Sequence, residues 1–86
     1  MMLRYTKRFL KHFRKLPKKD QIRVEHTLIL FQKNPFHPLL RNHELQREME
    51  GARAISAGFD LRIIYREEGN HTIVFLLQVG THNQLY

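Results

Sequence analysis

The chain has 86 residues, 42% of them hydrophobic, and 15 Lys and Arg stand against 8 Asp and Glu for a formal charge of +7. That length supports one domain, residues 1–86, with a modest core, and the absence of cysteine excludes disulfides and thiolate metal sites and fits a reducing cytoplasm. The longest apolar run is the five residues Ile73 to Leu77 and the amino end has no apolar signal core, so a soluble protein with no membrane partner is expected.

Charge is concentrated at the amino end. Residues 1–23 hold nine Lys and Arg against Asp20 alone, whereas residues 24–86 hold six against seven acids. Such a field attracts polyanions, which puts nucleic acid, the ribosome or an acidic protein first among partners. The plain alternative is a solvated helix face that only keeps the protein in solution.

In chain order, Leu3-Arg4-Tyr5 alternates and reads as a first strand, and Thr6 can cap a helix through its hydroxyl. Phe9, Leu10, Phe13 and Leu16 recur at helical spacing, leaving Lys7, Arg8, Lys11, Arg14 and Lys15 on the outer face. Pro17 ends that helix and opens the next, over Lys18–Lys33, whose apolar stripe is Ile22, Val24, Leu28, Ile29 and Phe31 and whose stop is Asn34-Pro35. A basic, acid-poor amphipathic amino end is also what a transit peptide looks like, but its loss would strip much of the helical cover, so it is read as part of the fold. Phe36 to Met49 lacks periodicity and reads as a loop lying across the sheet.

Gly51 to Ser56 reads as a strand and Ala57-Gly58-Phe59 as its turn. Asp60-Leu61-Arg62-Ile63-Ile64-Tyr65-Arg66 is a strand with Asp60, Arg62 and Ile64 on one face and Leu61, Ile63 and Tyr65 on the other, core-facing one. After a turn at Gly69-Asn70, the run from Ile73 to Tyr86 reads as the closing strand. The order β-α-α-β-β-β makes an α+β fold: two antiparallel helices packed on one face of a small, mainly antiparallel four-stranded sheet, the last three strands a meander.

His43-Glu44-Leu45, then Gly51 and Arg53, then Asp60 to Tyr65, then Val79-Gly80-Thr81-His82 and a closing Leu85-Tyr86 form a pattern that resembles the RelE/ParE superfamily of bacterial toxins, and within it the YafQ-like branch. The likeness covers the carboxy-terminal half by motif and the rest by element order; Gly-Thr-His followed by a hydrophobic-aromatic pair is its most specific part. It implies a RelE-like microbial RNase fold and the toxin of a toxin-antitoxin module. Members of that branch are ribosome-dependent endoribonucleases that cut messenger RNA in the decoding site without a cofactor. The implied partners are a cognate antitoxin, the ribosome and its message, and operator DNA reached through the antitoxin.

Cutting RNA without a metal uses the neighbouring 2′-hydroxyl as nucleophile, so it needs a base, an acid for the leaving 5′-oxygen and a cation for the phosphorane. Histidine suits either proton-transfer role because its ordinary pKa lies near neutrality. By the resemblance His82 is the general acid, Asp60 a base or an orienter, His43 a second proton-transfer or phosphate-binding group and Arg62 the phosphate clamp, a role its planar fork fits. Tyr86 would stack on a base, and Arg53 and Ser56 would lie in the substrate-binding surface.

Two departures from the YafQ-like pattern stand out: Ser56 replaces a second histidine and Leu61 replaces an aromatic after the aspartate. Serine is no base at neutral pH, so either one proton-transfer group is missing and activity is weaker, or the role is carried by His43 or Asp60. A carboxylate at the end of the chain after Tyr86 would stand near the site and call for a cation such as Arg62. Each residue also has a structural alternative: Asp60 as turn chemistry or an ion-pair partner of Arg62, His82 as a surface group, and His12 and His26 as helix-surface positions. A metal at His37 and His43 has no supporting carboxylate-histidine helix spacing. The rival function is a non-catalytic binder of the same fold, either a gyrase-inhibiting ParE-like toxin or a decayed toxin that only binds its antitoxin.

Overall fold

The computed structural model describes residues 1–70 and 72–86. Its elements run β1 (Met2–Tyr5), α1 (Lys7–Lys15), α2 (Lys18–Lys33), β2 (His43–Glu44), β3 (Arg53–Ser56), β4 (Leu61–Glu68), β5 (Ile73–Thr81) and α3 (His82–Leu85), with single 3-10 turns at Pro38–Leu40 and Arg47–Met49. The strands form one sheet in the order β1-β5-β4-β3-β2, antiparallel except where β1 runs parallel to β5.

The α+β class, the two helices and the meander agree with the sequence expectation, and three details differ. The sheet has five strands, because His43–Glu44 pairs with Arg53–Ala54 inside the stretch expected to be loop. Two residues are too few to show a period, so that strand is set by its partner. The closing strand stops at Thr81 and a short helix follows. On α2, Val24, Leu28 and Phe31 are buried, whereas Ile22 and Ile29 stand on a different face and are exposed, so the true stripe is narrower than expected.

Helix starts and stops follow local chemistry. The Thr6 hydroxyl accepts from the Phe9 amide at 3.2 Å and donates to the Leu76 carbonyl at 2.8 Å, which caps α1 and pins its start to β5. At the other end of α1 the Gln21 amide nitrogen donates to the carbonyls of Phe13 and Leu16 at 3.1 and 3.2 Å, closing the helical hairpin at Pro17.

Strand alternation then divides the apolar residues between two clusters. Leu61, Ile63 and Tyr65 of β4 join Ile55, Val74, Leu76 and Val79 beneath Phe9, Val24, Leu28 and Phe31 of the helices. The Phe31 and Tyr65 rings meet edge to face at 4.8 Å. On the opposite face a smaller cluster of Ala52, Ala54 and Ile64 is covered by Leu85 of α3. Burying that leucine contributes about 2 kcal/mol and holds α3 against the open side of the sheet.

Candidate functional site

The open face is built from paired residues. Ser56 of β3, Arg62 of β4 and Gly80 of β5 form one cross-strand row, and Ala54, Ile64 and Gln78 form the next, which His43 of β2 extends through its pairing with Ala54. Paired residues share a face of a sheet, so His43, Ser56 and Arg62 all lie on the side away from α1 and α2.

Gly80-Thr81-His82 has a structural explanation as well as a chemical one. A side chain at Gly80 would meet Gln84 Oε1 at 2.8 Å and Leu85 Cδ2 at 3.5 Å, so α3 rests directly on the glycine. Thr81 and Gln84 then form a capping box: the Thr81 hydroxyl accepts from the Gln84 amide at 3.3 Å, and Gln84 Oε1 accepts from the Thr81 amide at 2.8 Å. The chain thus folds back over the sheet within one residue of β5. His82 becomes the first residue of α3 and its ring sits 4.7 Å from that of Tyr86, one helical turn on.

Arg62 lies in the sheet near enough to Tyr86 for its charge to be felt there. Its Nη1 donates to the carbonyls of Leu61 at 2.8 Å and Phe59 at 2.9 Å, with Ser56 Oγ at 3.4 Å. Nε and Nη2 have no partner among the described residues, and no carboxylate among them pairs with the guanidinium. Burial raises the Tyr86 phenol above its ordinary value, and the Arg62 charge nearby partly offsets that rise.

His43 is exposed, and its Nδ1 lies 2.9 Å from the Arg41 carbonyl. A carbonyl only accepts, so Nδ1 donates in that contact and Nε2 is the ring nitrogen left outside it. Two strand spacings and a two-residue offset separate the backbones of His43 and Arg62 by roughly 12 Å, and the Arg62 guanidinium is held at the Phe59 and Leu61 end of β4. Asp60 is exposed in the β3–β4 turn and makes no ion pair with Arg62 or with any other described residue.

Arg53 is not brought to this face. It pairs with Tyr65 across β3 and β4, which turns it to the helix side of the sheet. There Nε donates to Asn42 Oδ1 at 2.8 Å, Nη1 lies 3.4 Å from Glu44 Oε1, and the guanidinium covers the Phe36 ring at 5.3 Å. Asn42 Nδ2 in turn donates to the Tyr65 hydroxyl at 2.7 Å and the Pro35 carbonyl at 2.9 Å. Arg53 is therefore a bracket that ties the loop after α2 to the sheet, on the face away from Ser56 and Arg62. Likewise His37 Nδ1 accepts from the Leu39 amide at 3.1 Å and caps the Pro38–Leu40 turn.

The family described as bacterial toxin of type II toxin-antitoxin system, YafQ, matches residues 1–86. This chain belongs to that family. Among solved structures, YafQ from E. coli strain BL21(DE3) is 22% identical over 98% of this chain and 96% of its own, with a TM-score of 0.83. The YoeB/ParE toxin from Agrobacterium tumefaciens is 17% identical over 95% and 99%, with a TM-score of 0.77. The E. coli DinJ-YafQ complex matches at 20% identity over 98% and 96%, with a TM-score of 0.71. At these identities the structural likeness speaks for the fold. No curated protein sequence matches the chain.

The toxin therefore carries on one face a half-buried cation whose Nε and Nη2 have no partner among the described residues, a histidine-tyrosine pair and a second histidine held through Nδ1. Sequence reasoning missed α3, although Thr81-x-x-Gln84 is a readable capping-box pattern. It also missed the Asn42 and Arg53 bracket, for which the local sequence carries no signal. Among the described residues no helix is long and apolar enough to cross a membrane.

Proposed function

We propose that this toxin is a ribosome-dependent endoribonuclease that cuts translated messenger RNA in the cytoplasm by acid-base chemistry. What carries the reading is Arg62: a guanidinium whose Nε and Nη2 have no partner among the described residues, on the same face as His43 and the His82-Tyr86 pair.

In this reading the scissile phosphate lies against the free edge of the Arg62 fork, which takes two of its oxygens and offsets the charge that grows in the phosphorane. His43 takes the proton of the neighbouring 2′-hydroxyl at Nε2, the nitrogen not facing the Arg41 carbonyl, and Asp60 is the alternative base. The 2′-oxygen attacks phosphorus, the bond to the 5′-oxygen breaks, and His82 supplies the proton to that leaving oxygen. The products are a 2′,3′-cyclic phosphate and a 5′-hydroxyl. Tyr86 beside His82 gives a base a ring to stack on, and Ser56 holds Arg62 rather than moving a proton. The ribosome presents the message in the geometry for in-line attack.

A cognate antitoxin silences the toxin, as the DinJ-YafQ complex supports for its relative, and links it to operator DNA. The exposed Lys7, Arg8, Lys11, Arg14 and Lys15 of α1 suit an acidic or amphipathic antitoxin segment and the ribosomal phosphates alike.

The test is induction in bacteria followed by mapping of message 5′ ends. In-frame cuts on translated messages that disappear with His82→Ala and with Arg62→Ala are expected. DNA-damage signalling without such cuts would assign the fold to gyrase inhibition instead.

A further inference from the structure

An open groove of about 700 Å³ lies beside the candidate site, between α2, the Pro38–Leu40 turn and the β3–β4 turn. Arg23 and His26 reach it from α2 and Arg41 from the turn, and no carboxylate is among the described residues that line it. Leu39 and Phe59 stand along it, 73% and 86% exposed. The groove opens onto the site at Ser56, which lines it and whose hydroxyl also meets Arg62.

Phe59 is held there against two preferences. Its φ is +32°, a conformation that bulky residues avoid, and its ring is left in water. Gly58 before it, at φ +91°, makes the turn possible without requiring an aromatic next. The turn is closed by the Leu61 amide on the Gly58 carbonyl at 2.9 Å and by Arg62 Nη1 on the Phe59 carbonyl at 2.9 Å. The side chain proposed to face the phosphate thus also fixes the residue that displays the ring. The Arg23 guanidinium lies 5.0 Å from the centre of that ring. A strained, displayed aromatic among cations is a feature whose cost points to use.

We propose that this groove receives the single-stranded RNA next to the cleaved phosphate, with Phe59 stacked on an unpaired base and Arg23 and Arg41 facing the flanking phosphates. The inference takes its direction from the endoribonuclease reading. RNA is favoured over an acidic protein segment because charge alone would serve the latter, whereas a presented ring flanked by arginines matches a base and its phosphate together.

The experiment is fluorescence anisotropy of the full chain with a labelled, uncleavable 2′-O-methyl RNA octamer at several salt concentrations, alongside the thermal midpoint of each variant. Phe59→Ala should weaken binding at least about fivefold, within the range base stacking supports, and Phe59→Trp should restore it. Arg41→Gln should lower the salt slope by about one, the mark of one phosphate contact. No binding by the wild type at low salt overturns the proposal. So does equal binding by Phe59→Ala, or a loss with Phe59→Ala that appears only against the antitoxin. Cutting is scored separately. RNA binding that depends on Phe59 in a protein that cuts nothing sinks the nuclease reading and keeps the groove, whereas normal cutting with Phe59-independent binding sinks the groove alone.

Discussion

Arg53 and Arg62 sit on neighbouring strands of one small sheet and have opposite fates. On the helix side, Arg53 is engaged by Asn42 and Glu44 and lies over Phe36, while Asn42 also holds the Tyr65 hydroxyl. On the open side, Arg62 is fastened through Nη1 alone, and its Nε and Nη2 have no partner among the described residues. The first arrangement closes a loop onto a core. The second holds a cation in place through one nitrogen while leaving the rest of its fork exposed to a partner, as the proposed phosphate clamp requires.

Removing groups from the two faces should therefore have unlike consequences. The largest effect is expected from His82→Ala, which should lower the single-turnover rate of message cleavage by about 10²- to 10⁴-fold, the usual weight of a general acid, with little change in thermal midpoint. Gly80→Ala comes next. Its new methyl group displaces Gln84 Oε1 from the Thr81 amide, loosening α3 and the His82-Tyr86 pair, so cleavage should fall about tenfold and stability by about 1 kcal/mol in urea unfolding.

Tyr65→Phe removes the Asn42 hydrogen bond and should cost about 1 kcal/mol at neutral pH. The sign should turn at high pH. Burial raises the Tyr65 pKa above 10.0, so the native state resists ionisation that the unfolded chain accepts, and the wild type loses stability as pH rises past that value. Tyr65→Phe lacks this loss, so the gap between their urea midpoints should narrow or reverse above about pH 10. The smallest change is expected from Asp60→Asn, within about 0.5 kcal/mol in stability because the carboxylate is exposed and makes no ion pair among the described residues. Its effect on cleavage separates the two bases: a loss larger than that of His43→Gln would transfer the base role to Asp60.

Much of this was readable in the sequence where a residue's role is local. Thr6, Pro17 and the alternation of Leu61, Ile63 and Tyr65 fix caps, a helix break and a core face by short-range rules, and each is realised. The family pattern singled out His43, Arg62, His82 and Tyr86, and pairing along the sheet explains how His43 and Arg62, far apart in the chain, reach one face. What failed was non-local. The bracket at Arg53 was not legible because Asn42, Glu44 and Phe36, which engage it, belong to a stretch without periodicity. Ile22 and Ile29 were misjudged because two overlapping helical stripes cannot be ranked without knowing where the sheet lies. Phe59 looked like ordinary turn filling, since its left-handed backbone and exposure exist only in three dimensions.

The most direct measurement is a crossed one: single-turnover cleavage rate and urea midpoint for Arg62→Ala and Arg53→Ala, side by side. The division of the two faces predicts that Arg62→Ala cuts at least about 100-fold more slowly with its midpoint nearly intact. It predicts that Arg53→Ala loses about 1–2 kcal/mol and cuts at the wild-type rate per folded molecule. Cleavage that simply follows stability in both variants, or an Arg53→Ala protein that is stable and inactive, would contradict it.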